Sequence, residues 1–148
     1  SDDGMKKLLM ARIVPMINQN IIERCTEIEF PYSFEFNEDF DPIIKHLGQI
    51  IELESLSTGE QKEMNLITLF CILDLQIMKQ GLNFLFLDEV FTSLDNESIY
   101  KVVAMLRSFT DRHKITVFAI SHDPLPTEFF DKKLTIKKEK HFSDIYVD

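Results

Sequence analysis

The chain has 148 residues, 45% hydrophobic and 28% charged, with a formal net charge of -9 and a pI near 4.9. That length makes one domain able to bury roughly 70% of its unfolded surface, and 13 Phe with plentiful Leu and Ile exclude a disordered chain. No apolar run approaches the roughly 20 residues of a membrane span, no signal peptide opens the sequence, and the acidic balance argues against sequence-independent DNA binding, which normally needs a basic surplus.

In chain order, Met5, Leu9, Ile13, Ile17, Ile21, Cys25 and Ile28 recur at mostly helical spacing. Pro15 should kink that helix or restart it. Lys6, Arg12, Asn18, Gln19, Asn20, Glu23 and Arg24 fall on the side expected to face solvent. The segment reads as an ordinary amphipathic helix or as the root of a coiled coil. Tyr32 to Asn37 alternates with period two and predicts a half-buried strand. Asn37–Pro42 forms a turn, Ile43–His46 pairs back, and Gly48 opens another turn before Ile50–Leu53, which together make a small antiparallel meander.

A long helix is expected from about Gly59 to Lys79. Ser57 and Glu60 form its capping box, Gly81 follows its end, and its middle is apolar nearly all round. Phe84–Leu87 reads as a buried parallel strand running into Asp88-Glu89. Asp95 caps a helix from Asn96 to Arg112 with a stripe at Ile99, Val102, Val103, Leu106 and Phe109. Ile115–Ile120 reads as a second buried strand ending in Ser121-His122. Leu134–Lys137 and Asp144–Val147 look like lysine-rich edge strands. The order of elements indicates an α/β layered domain with a partly parallel sheet. Cys25 and Cys71 make neither a CxxC nor a disulfide framework, which suits a reducing compartment.

Three places can carry chemistry. Asp88 and Glu89 end an apolar strand, where an Asp can hold Mg2+ and a Glu can polarise water; the same pattern also describes a strand leaving the core through two solvated acids. Leu56 to Gln61, with Ser57, Thr58, Gly59 and Glu60 at a helix start, offers free amides and the positive dipole end to an anion, or is simply a helix cap. His122 can contact a phosphate oxygen, or be satisfied by turn backbone. His46, His113 and His141 show no metal-ligand spacing. The Lys132–Lys140 cluster can touch a DNA backbone or protect an edge strand.

Taken in order, Ser57-x-Gly59-Glu60, Asp88-Glu89, Ser93-Leu94-Asp95 and Ser121-His122 resemble the motifs of the second lobe of ATP-binding-cassette (ABC) ATPases. Leu56–Gln61 resembles the signature, Phe84–Glu89 the Walker B strand, Glu89–Asp95 the stretch ending in the D-loop, and His122 the switch histidine. The resemblance spans about Tyr32 to Tyr146. The helix and meander before the signature are similar to the C-terminal ATPase lobe of SMC-like proteins. Met5–Ile28 leading into Phe34-Glu-Phe-Asn-Glu-Asp-Phe40 is most similar to the ATPase subunit of bacterial and phage DNA double-strand-break recombination nucleases.

The resemblance implies the C-terminal lobe of an ABC-type P-loop NTPase head, with residues 1–29 as the helix at the coiled-coil root and residues 30–148 as the lobe. It implies ATP and Mg2+ as cofactors, Asp88 acting on Mg2+, Glu89 activating water and His122 sensing the γ-phosphate. Ser57, Thr58, Gly59 and Glu60 would face the nucleotide on a second head, and Asp95 would couple the two sites. Implied partners are an N-terminal ATPase lobe of the same protein, a second copy of the head, a metallophosphoesterase nuclease subunit and DNA, in the cytoplasm of a bacterial or phage-infected cell. Two departures stand out. Thr58 replaces the family's common glycine, and the four glycines (Gly4, Gly48, Gly59, Gly81) cannot build a Gly-x-x-x-x-Gly-Lys-Ser/Thr phosphate loop in these residues. The lobe alone is therefore expected to be inactive. The alternatives are a condensin-like chromosome-structuring head without a nuclease partner, an ABC transporter motor lobe and a non-catalytic scaffold.

Overall fold

The computed structural model describes residues 2–148. Three α-helices, α1 (Asp2–Glu27), α2 (Thr58–Gln80) and α3 (Asn96–His113), form the body. The strands are β1 (Ser33–Phe36), β2 (Pro42–His46), β3 (Gln49–Ile51), β4 (Phe84–Asp88), β5 (Thr116–Ile120), β6 (Leu134–Glu139) and β7 (Phe142–Val147). They make an antiparallel β1-β2-β3 meander, a parallel β4-β5 pair and an antiparallel β6-β7 hairpin. The α/β reading, the meander and the parallel pair are all present.

The core is built on α2. Ile67, Phe70 and Cys71 are fully buried, and Phe70 meets Phe109 of α3 with ring centroids 5.2 Å apart. On the other side of the core, α1 contributes Val14, Ile17 and Ile21. Phe34 and Phe36 of β1 and Ile44 of β2 close the layer. Burial pushes the thiols of Cys25 and Cys71 up to about 12, so neither is a reactive thiolate near neutrality.

Several expectations need correction. α1 is continuous through Pro15 and does not restart there; burial of Val14 and Ile17 on either side holds the helix together despite the lost N–H. The apolar stripe is buried only in its second half, since Met5 and Leu9 are exposed. Asn18 and Arg24 do not face solvent. Asn18 clamps β1 by donating to the Phe36 carbonyl (2.9 Å) and accepting its N–H (2.8 Å). Arg24 is 1% exposed and pairs with Asp74 of α2 at 2.9 Å and Glu27 at 2.8 Å. Burial opposes its charge, but the bonds and charges of Asp74 and Glu27 outweigh that cost and raise its pKa. Asp74 also takes a hydrogen bond from His113 at the end of α3, so one buried carboxylate ties all three helices.

The largest correction concerns β4 and β5. Both are buried on one face only: Leu87 is in the core, while Phe84, Phe86, Phe118 and Ile120 are exposed on the other. The apolar run of each strand therefore has two apolar faces but one cover. The β6 and β7 strands pair antiparallel with each other in a two-stranded hairpin, so both are edge strands as expected.

Candidate nucleotide-facing site

β4 and β5 run in parallel register from Phe84↔Thr116 to Asp88↔Ile120, so Asp88-Glu89 and Ser121-His122 emerge side by side. The Glu89 N–H extends the ladder by donating to the Ile120 carbonyl at 2.8 Å. At Glu89 the chain then turns with φ +53°, a left-handed conformation costing an L-residue roughly 1–2 kcal/mol. The turn holds because the side chain is fixed as well. Oε1 accepts the backbone N–H of His122 at 2.9 Å. The Thr92 hydroxyl donates to the Glu89 carbonyl at 3.1 Å and lies 3.4 Å from Oε2.

The His122 ring is 93% exposed, with Nε2 3.5 Å from Glu89 Oε1. Asp88 is exposed, and among the described residues its carboxylate has no hydrogen bond or ion pair. No cluster of three or more His, Cys, Asp or Glu among the described residues can hold a metal ion. One open carboxylate still fits Mg2+, which in nucleotide sites takes one or two carboxylates and completes its shell with phosphates and water. The donor set fits a metal held jointly with a nucleotide rather than by protein alone.

The signature-like segment is the start of α2. Ser57 Oγ accepts the Glu60 N–H at 3.2 Å and Glu60 Oε2 accepts the Ser57 N–H at 2.8 Å, so the expected capping box is present. The Gln61 amide donates to the carbonyls of Leu53 (3.3 Å) and Leu56 (3.0 Å), pinning the loop from below. Thr58 and Gly59 lie in the first turn, where amides lack intrahelical acceptors. A Cβ on Gly59 would stand 3.8 Å from the Ser93 carbonyl, and Ser93 is itself left-handed at φ +72°.

Ser93 thus joins the two groups of residues, since its loop leads from Glu89 to Asp95. Asp95 caps α3 by accepting the Ser98 N–H at 2.7 Å. That bond to the Ser98 backbone holds its carboxyl below the ordinary value. All eight predicted residues sit on strand ends, helix starts or the loop between them. An open groove of about 570 Å³ between α1 and the meander contains none of them. Thr92, and Tyr32 beside Glu60, are additional partners that sequence reasoning did not single out; neither residue type carries a spacing signal of its own.

No protein-family model matches the chain. It is 30% identical over 146 residues to exonuclease subunit 2 of Escherichia phage RB69, matching 96% of this chain and 25% of that protein. It is 24% identical over 147 residues to the DNA double-strand break repair Rad50 ATPase of Methanocaldococcus jannaschii, matching 99% of this chain and 14% of that protein. Its fold matches a solved structure from work on ATP-driven dimerization and DNA stimulated activation of SMC ATPases. There the TM-score is 0.77 at 16% identity, covering 95% of this chain and 88% of that one. The chain has the fold seen in SMC ATPase head structures, and its sequence is similar to phage exonuclease subunit 2 and the Rad50 ATPase over nearly its whole length. It spans about a quarter of the length of its phage relatives. None of the described helices is long and apolar enough to cross a membrane.

Proposed function

We propose that this chain is the signature-bearing half of a composite ATPase head that dimerises around ATP and controls DNA access for a recombination and repair nuclease. The observation that carries the reading is the meeting of three segments: Glu89 fixed by the His122 backbone, and the Ser93 carbonyl set beside Gly59. In this reading residues 1–29 lead into a coiled coil and residues 30–148 form the lobe. The exposed face of Phe84, Phe86, Phe118 and Ile120 is where an N-terminal lobe carrying the phosphate loop would pack.

The chemistry follows from the fixed groups. The Glu89 carboxylate is oriented before substrate arrives, as a general base must be to draw a proton from an attacking water. The exposed His122 imidazole, with Nε2 3.5 Å from Glu89 Oε1, would be free to contact the γ-phosphate. Asp88 would hold Mg2+, which when bound spreads the charge developing on the phosphate oxygens. Thr58 and Gly59 amides, the Ser57 hydroxyl and the α2 dipole would receive the γ-phosphate bound on the opposite head, and Asp95 would lie at the seam.

The similarity to phage exonuclease subunit 2 and to the Rad50 ATPase favours a nuclease-complex head, with a metallophosphoesterase subunit and DNA as partners in the cytoplasm of a bacterial or phage-infected cell. The SMC-type fold is the observation that favours the second reading, a chromosome-structuring head. Co-purification with a metallophosphoesterase separates them. For the site itself, Ser57→Arg in the complete protein places bulk and charge at the dimer seam and should abolish ATP-dependent dimerisation. Unchanged dimerisation on size-exclusion chromatography contradicts the signature assignment.

A further inference from the structure

The loop before α2 is held by its own helix and by one side chain from elsewhere. Glu60 divides its carboxylate: Oε2 accepts the Ser57 N–H at 2.8 Å, and Oε1 accepts the Tyr32 hydroxyl at 3.2 Å. Tyr32 stands in the link between α1 and β1. Its ring meets Phe30 edge-on, with centroids 5.5 Å apart, and His46 of β2 at 5.2 Å. Phe30 is buried, so the ring has an anchored wall behind it.

A capping box alone fixes one oxygen of Glu60 and leaves the carboxylate free to turn about its last bond. The Tyr32 bond removes that freedom. The Ser57 amide, and with it the Ser57 hydroxyl, then takes a set orientation. Tyr32 is also the point at which the end of α1 and the meander touch the signature segment through a polar bond.

We propose that Tyr32 is a positioning residue of the signature segment: its hydroxyl fixes the Glu60 carboxylate, which presents Ser57 and the first amides of α2 to the nucleotide on the opposite head. The proposal rests on the reading of Ser57–Glu60 as nucleotide-facing. It makes the reach of the signature depend on where the α1–β1 link sits, so a shift of α1 is felt at the nucleotide through one bond. Tyr32 itself does not touch the substrate.

The test compares Tyr32→Phe, Glu60→Ala, their combination and Ser57→Arg in the complete protein, reading head dimerisation across an ATP titration together with thermal unfolding. Loss of a bond to a charged acceptor should raise the ATP concentration for half-maximal dimerisation about fivefold in Tyr32→Phe, with the fold retained and only a small fall in melting temperature. The same change made on Glu60→Ala should add nothing, because the two residues act through one contact. Wild-type dimerisation by Tyr32→Phe, with Ser57→Arg inactive, overturns the positioning role and spares the signature reading. A shift that persists undiminished on Glu60→Ala also overturns it. Normal dimerisation by Ser57→Arg overturns both.

Discussion

The backbone N–H of His122 donates to Glu89 Oε1 at 2.9 Å, so the carboxylate ending β4 is oriented by the main chain ending β5. The imidazole of His122 takes no part in that bond and is almost wholly exposed. The two roles of His122 can therefore be separated. In the complete protein, His122→Ala should leave thermal stability and ATP-dependent dimerisation intact while ATP turnover falls by about 100-fold. Full turnover, measured by phosphate release, contradicts a role for the ring.

Arg24 and Asp74 are 50 residues apart in sequence and both buried, and Asp74 also faces His113 and Arg112. Asp74→Ala strands a buried guanidinium with only Glu27 as partner. Urea unfolding should show a loss of about 3–5 kcal/mol. Arg24→Met should cost less, because Asp74 keeps His113 and the methionine fills the aliphatic space. Equal losses for the two variants contradict this account of the network.

Asp95 tests a helix cap by pH. Its folded pKa lies below the ordinary 3.8 because the carboxylate accepts the Ser98 N–H. A depressed folded value means the contribution is fully present above the unfolded pKa and disappears as pH falls through the folded one. Asp95→Ala should thus melt earlier than the parent chain at neutral pH. The gap should narrow once the pH drops well below 3.8. A gap that stays constant over that range contradicts charge-assisted capping.

Phe86 and Phe118 stack at 4.7 Å on the open face of the β4-β5 pair. If an N-terminal lobe covers that face, Phe86→Asp should reduce self-association of the 148-residue chain, read by light scattering, and change its unfolding free energy by less than about 1 kcal/mol. In the complete protein the same change should disrupt the head. A complete protein that folds and dimerises normally with Phe86→Asp contradicts the packing of a lobe there.

Local signals made much of this fold legible. Ser57 with Glu60, Gly81 and Asp95 each mark a helix end through contacts within a few residues, and each marks it correctly. Period two placed Phe34 and Phe36 on the buried face of β1. What failed depends on distance or on what is absent. The composition of Phe84–Leu87 shows that both faces are apolar, but cannot tell which one this lobe covers. Arg24 looks like any surface arginine until α2 brings Asp74 beside it. Pro15 does not restart α1, because burial of Val14 and Ile17 on either side outweighs its missing N–H. At the site, motif order grouped Asp88, Glu89 and His122, whereas the Thr92 and Tyr32 hydroxyls entered through tertiary geometry.

Glu89→Gln in the complete protein, with ATP turnover and dimerisation followed together, tests whether Glu89 activates water in an ATP sandwich completed by a second head. Glutamine keeps an oxygen for the His122 N–H but cannot take a proton. Turnover should fall by about 100-fold or more, with ATP-bound dimer accumulating. Near wild-type turnover, or loss of activity without trapped dimer, would contradict that role for Glu89.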